Sequence, residues 1–202
     1  PVWLIRALAR RGIGGLTIVV QSVGVGNIEV NELIENRQVI KVIANYPFYR
    51  SATKGEQHRF EQLVRAGEIE VEVYPMGTFI EKLRAGGAGI AGFYTPTGVG
   101  TLVEGTKEKR VFDGREYILE MALKPDFAFV HAYKGDAEGN LVYRKTARNY
   151  NQVMAMAADV TIAEVENLAE VGELDPDCIH TPGIYVQRVV KVERPEVVPS
   201  ID

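Results

Sequence analysis

The chain has little of what a disulfide scaffold, a metalloprotein or a nucleic-acid binder needs. Its 202 residues include one cysteine, Cys178, which excludes an internal disulfide and fits a reducing compartment. The three histidines, His58, His131 and His180, lie far apart and show no metal-ligand spacing. Lysine and arginine number 23 against 27 aspartates and glutamates, a formal net charge of −4. That balance offers no basic field to nucleic acid or an anionic membrane. No apolar run is long enough for a transmembrane helix, and no signal-peptide pattern is seen. Also missing are the Gly-Lys-Ser/Thr of a Walker loop, a dinucleotide fingerprint between strand and helix, and a serine in a nucleophile elbow. The expectation is a soluble, cytoplasmic protein.

What is present reads as an α/β chain with ordinary globular composition, 46% hydrophobic and 25% charged. Apolar periodicity predicts helices over 1–11, 27–36, 56–66 and 77–84, alternating with strands at 16–20, 39–44 and 69–74. That alternation argues for a layered, mainly parallel sheet. Later the pattern changes. Asp113-Gly114 between 110–112 and 117–120 predicts a hairpin, because Asp-Gly supplies the positive φ values of a tight turn. Strands follow at 126–132, 141–143, 160–165 and 184–192, with a helix at 149–158. No linker or repeat divides the chain, so residues 1–192 read as one domain and 193–202 as a loose tail.

The densest chemical signal is the run 84–101, RAGGAGIAGFYTPTGVGT. Gly86, Gly87, Gly89, Gly92, Gly98 and Gly100 free the backbone, and Thr95, Thr97 and Thr101 place hydroxyls among them. Such a segment costs folding entropy, which suggests a loop whose amides face a ligand. The other candidates are weaker. Glu81, Glu104 and Glu120 could each act as acid, base or nucleophile, but as a rule such glutamates are surface charge. His131 lies on an apolar strand and reads as a satisfied core or rim histidine. Nothing basic adjoins Cys178, which argues against a reactive thiolate. The basic cluster 143–149 is equally a solvated connection or a contact for phosphate or carboxylate.

These blocks together resemble the alpha chains of the family I CoA-transferases, the 3-oxoacid, 3-oxoadipate and acetate/acetoacetate enzymes. The resemblance is carried by Gly77-Thr78 with Glu81, RAGGAG at 84–89, FYTPTGVGTLVEG at 93–105, DGREYILE at 113–120, GNLVYRKTARN at 139–149 and GELDPDCIHTPGIYVQRVV at 172–190. It implies a single three-layer α/β domain of CoA-transferase type, paired with a CoA-transferase beta subunit in a heterodimer or heterotetramer. It further implies CoA exchange between an acyl-CoA and a carboxylic acid, through a glutamyl-CoA thioester on the beta subunit. No catalytic nucleophile, metal or permanently bound cofactor is then expected here, with CoA present only as substrate.

On this resemblance the pocket residues are Gln21, Ser22, Met76 and Gly77, then Gly86, Gly87, Gly89 and Phe93, then Thr95, Thr97, Gly98, Gly100 and Thr101. The chain departs from its relatives at three places. Pro1 aligns with the proline ending a glycine-rich turn, so the first strand and that turn are expected to be missing. Met76 stands where relatives commonly carry glutamine, a candidate oxyanion donor; losing such a donor typically costs about 2.7–4 kcal/mol of transition-state stabilisation. Gln21-Ser22 replaces the usual Asn-Asn or Asn-Asp, and Gln21 or Ser22 is expected to replace part of the lost polar contact.

Overall fold

The computed structural model describes residues 1–23, 28–48 and 59–193, which group into two compact units, 2–79 and 80–193, with Pro1 counted in the second. The expected tail therefore lies almost wholly outside the described residues, as does His58.

The first unit alternates helix and strand. Helix α1 (Val2–Arg11) ends at Gly12, whose φ of 66° suits the left-handed stop that glycine tolerates. Arg10 and Arg11 occupy its last turn, where positive charge complements the helix dipole. Strand β1 (Leu16–Ser22), α2 (Ile28–Glu35), β2 (Val39–Tyr46), α3 (Arg59–Arg65), β3 (Glu70–Val73) and α4 (Met76–Gly87) follow. All three strands are parallel, in the order β1-β2-β3, with Ser22 opposite Tyr46 and Ala44 opposite Val73. Leu33, Ile34, Val42, Ala44, Phe60 and Leu63 form the centre of its buried apolar core. Each large apolar side chain contributes about 1.5–3 kcal/mol when fully removed from water.

The second unit contains two sheets. Strands β4 (Gly92–Thr95), β5 (Lys109–Phe112) and β6 (Arg115–Met121) are antiparallel in the order β4-β6-β5. The β5–β6 hairpin turns at Asp113 (φ 48°) and Gly114 (φ 75°), as the Asp-Gly pair predicts. Strands β7 (Phe127–Asp136), β8 (Leu141–Val142), β9 (Val160–Ala169) and β10 (Arg188–Lys191) form a sheet ordered β10-β9-β7-β8. Only the β7–β8 pair is antiparallel there. Helix α5 (Asn151–Ala157) contributes Ala155 to a core with Val130, Ala132, Leu141, Tyr143, Ala163 and Val165.

The α/β class and the parallel strands agree with the sequence pattern. The description of one sheet needs correction: among the described residues there are three, one of them wholly antiparallel. The last expected strand is also shorter. Residues 183–185 form a 3-10 turn after Pro182, so pairing begins only at Arg188.

Candidate functional site

In the first unit, the candidate residues gather at the carboxyl end of a parallel sheet, where open α/β folds bind ligands. Half-buried Gln21 and Ser22 close β1. Asn45 stands beside Tyr46 at the end of the central strand β2. The chain leaves β3 through Tyr74, whose amide donates to the Ala44 carbonyl at 3.0 Å, and turns at Pro75 into α4. Met76, Gly77 and Thr78 are therefore the first turn of that helix, and Phe79 N–H is the first to reach an intrahelical acceptor, Pro75 O at 2.9 Å. The amides before it have none within the helix. Met76 is 56% exposed, and its thioether can donate no hydrogen bond. Among the described residues, a Cβ built on Gly77 would meet nothing within 4 Å, so the backbone there borders open space among them.

The glycine-threonine run lies in the second unit and is not one loop. Residues 84–87 complete α4, and Gly89 (φ 72°) stops it, with Ile90 N–H bonded to Ala85 O at 2.9 Å. Gly86 and Gly87 are close-packing positions. A Cβ on Gly86 would fall on the Leu123 carbonyl, and one on Gly87 would lie 2.5 Å from Met156 O. Phe93 and Thr95 then sit on β4, Phe93 opposite Glu120.

Residues 96–106 are a chain of turns that bond inward. Thr95 Oγ1 accepts from Thr97 N–H at 3.2 Å, and Thr101 Oγ1 donates to Gly98 O at 2.8 Å. Gly100 N–H donates to the Glu104 carboxylate at 2.7 Å. That bond, with the Lys109 ammonium 2.7 Å away, holds the Glu104 carboxyl below its ordinary range. The expectation of amides facing a ligand is thus revised, because several of them already have acceptors inside the loop. Leu102, at the tip, is fully exposed.

The carboxylates considered as nucleophiles are engaged. Glu81 pairs with Arg84 at the surface. Glu120 is only 1% exposed and accepts from Lys107 at 2.6 Å and Lys82 at 3.2 Å. The surface-charge reading fails for it, and the signal was strand parity: Ile118 and Glu120, two apart on β6, share the buried face. Asn45 and Thr78 were missed as well. The signal for Asn45 was a polar residue ending an apolar central strand; Thr78 stood in the Gly77-Thr78 block of the resemblance but was not singled out as a pocket residue.

His131 on β7 is half-buried between Glu164 (Nδ1···Oε1 2.9 Å) and Glu166 (Nε2···Oε1 3.2 Å) on β9. The hydrogen bond to Glu164 raises its pKa, burial opposes this, and Glu166 adds to the rise. A raised folded-state pKa stabilises the fold fully below the histidine's unfolded value and ceases to do so as pH climbs through the folded one. His131→Gln is expected to lower the melting temperature at about pH 6 and to converge on the parent by about pH 9. Melting curves across that range check this; a gap independent of pH refutes it. His180 is an acceptor for Tyr143 N–H at 2.9 Å, and burial lowers its pKa. Exposed Cys178 donates to Asp175, whose carboxylate raises the thiol's pKa, so no activated thiolate is present there. The basic segment 144–149 is exposed, with Arg148 bonded to Gln152.

The carboxyl end of a parallel sheet, lined by amide, hydroxyl and helix N–H groups, suits polar acyl chemistry, and the chain belongs to the coenzyme A transferase family, whose profile matches residues 1–192. Among individual relatives, it is 50% identical over 194 residues to the A-type subunit of a succinyl-CoA:3-ketoacid coenzyme A transferase from Helicobacter pylori, covering 96% of this chain and 81% of that one. The A-type subunit of a 3-oxoadipate CoA-transferase from Pseudomonas putida is 47% identical over 192 residues, covering 95% and 81%. The fold is also that of glutaconate coenzyme A-transferase from Acidaminococcus fermentans, with a TM-score of 0.78 at 20% identity, covering 96% of this chain and 67% of that one.

Proposed function

We propose that this chain is the alpha subunit of a heteromeric CoA-transferase. The assembly moves CoA between an acyl-CoA and a short-chain or 3-oxo carboxylic acid, through a glutamyl-CoA thioester on a partner beta subunit. The observation that carries this reading is the 50% identity, over 96% of the chain, to a protein named as the A-type subunit of such an enzyme. The engagement of Glu81, Glu104 and Glu120 by cations supports it, since a tied carboxylate is a poor nucleophile.

In the proposed sequence, a partner glutamate attacks the acyl-CoA carbonyl and the CoA thiolate leaves, giving a mixed anhydride. The thiolate then attacks the glutamyl carbonyl and releases the first acid, which leaves CoA on the enzyme. The acceptor carboxylate reverses both steps, so the thioester energy is retained and ping-pong kinetics follow. This chain supplies the acyl-pocket walls. In the first unit, Gln21, Ser22, Gly77 and Thr78 stand at the carboxyl end of the sheet; the second unit carries its own candidates, Phe93, Thr95, Thr97, Gly98, Gly100 and Thr101, on the glycine-threonine run. Its role is to exclude water and offer hydrogen bonds to the acyl oxygen.

The test uses succinyl-CoA and acetoacetate, chosen from the succinyl-CoA:3-ketoacid name of the relatives. The chain alone is expected to be inactive, and the chain with its beta subunit to form acetoacetyl-CoA with parallel double-reciprocal lines. Exposed Met76, a non-donor at the sheet edge, favours a second reading, a thioester-opening relative. Release of free CoA without any acceptor acid would establish that reading in place of the first.

A further inference from the structure

Among the described residues, the buried side-chain atoms left without a hydrogen-bond partner are the Asn45 amide nitrogen and oxygen and the Thr78 hydroxyl. Buried polar groups are nearly always satisfied, so an orphan calls for a bonding group beyond the described residues, such as a water or a ligand atom. Both residues belong to the first unit, Asn45 on its central strand and Thr78 in the helix entered from the neighbouring strand. Ala44 is in register with Val73 and bonds Tyr74 N–H, which sets Asn45 level with the residue that leads through Pro75 into α4. Thr78 is the third residue of that helix and only 3% exposed.

Helix α4 has twelve residues, long enough for its N-terminal amides and dipole to favour an anion. The amides of its first turn have no intrahelical acceptor, and the backbone at Gly77 borders open space. No charged side chain is needed to balance a ligand held this way. The available groups are mostly donors: amide N–H, a hydroxyl and the Asn45 NH2. Their shared preference is for a small carboxylate, with the Asn45 carbonyl left to a bridging water.

We propose that Asn45, Thr78 and the first turn of α4 form a recess for the carboxylate of the free acid substrate. This rests on the transferase reading above and deepens it by assigning the acid's position. Asn45 stands on the central strand, between the β1 end that carries Gln21-Ser22 and the β3 end that leads to Met76. It therefore supplies an amide to the same sheet end where Met76 offers none.

The experiment uses the assembled alpha and beta chains, with succinyl-CoA as donor and acetoacetate as acceptor. Asn45→Ala and Thr78→Val are each expected to raise the KM for acetoacetate about tenfold to a hundredfold, the range for a hydrogen bond to a charged group. The KM for succinyl-CoA should change by less than about threefold, well below that range. Thr78→Ser, which keeps the hydroxyl, should restore the parent value. Succinate, added alone as a probe, should raise the melting temperature of the parent assembly and do so less for the variants. Thr78→Val without ligand should melt at or above the parent temperature, because an apolar isostere removes an unsatisfied group.

Acetoacetate KM values unchanged in both variants overturn the proposal. So does an equal rise in both KM values, or a loss of stability that accounts for the whole effect. If the parent assembly exchanges no CoA, the transferase reading has failed instead. Succinate protection would then still test the recess.

Discussion

Replacing Glu120 with alanine is expected to lower the melting temperature by roughly 6–20 °C, from two magnitudes taken together. The carboxylate is 1% exposed and bridges Lys82, itself 7% exposed, and Lys107. Removing one partner of a buried ion pair costs about 3–5 kcal/mol, because the remaining charge stays in a poorly solvating place. For a chain of this size each kcal/mol shifts the midpoint by about 2–4 °C. The companion experiment removes charge from both sides. Glu120→Leu with Lys82→Met should recover much of the loss, since packed apolar replacements of a buried pair are often neutral. Differential scanning calorimetry of the three proteins decides the matter. If Glu120→Ala melts within about 2 °C of the parent, the buried bridge contributes nothing that water cannot replace.

Gly86→Ala should destabilise by up to about 2 kcal/mol, although it places a better helix former near the end of a helix. Helix propensity alone favours alanine over glycine by about 0.8–1.0 kcal/mol in a helix interior. Against that gain, the new Cβ falls on the Leu123 carbonyl, whose carbon lies 2.9 Å away. Overpacking against backbone that has to move costs about 1–3 kcal/mol, occasionally more, so sterics win. Gly87→Ala should behave alike, with its Cβ 2.5 Å from Met156 O. Gly77→Ala is the control on the same helix: nothing lies within 4 Å of its Cβ, and stability should hold or rise slightly. Urea denaturation of the three variants tests this ordering. A Gly86→Ala protein as stable as Gly77→Ala would refute the packing role.

Much of the fold was legible because local physics and tertiary structure agree. Asp113-Gly114 demanded a tight turn and made one. The strand–helix alternation up to Gly87 gave parallel pairing, as crossover connections through helices require. What escaped depends on contacts far apart in sequence. The glycine density at 84–101 looked like one flexible loop, yet Gly86 and Gly87 are small because Leu123 and Met156 sit against them. Glu120 looked like surface charge because its lysines lie 38 and 13 residues away. The site was partly legible too. Gln21, Ser22, Met76 and Gly77 do share a sheet end, but Asn45 between them could be found only once the strand order β1-β2-β3 was known.

The inward bonding of residues 96–106 bears on how the glycine-threonine run meets another molecule. Fixing backbone costs roughly 1–2 kcal/mol per residue, and glycines lose the most freedom. Here the Gly100–Glu104 and Thr101–Gly98 bonds impose that order at folding. On the proposed reading, a partner surface or acyl group arriving there would meet a pre-ordered template, and little of its binding free energy would be consumed in ordering the loop. Cutting the tie with Glu104→Ala would return that cost to the encounter. The expected signature is weaker association with a more unfavourable entropy, while the melting temperature of the free chain hardly changes.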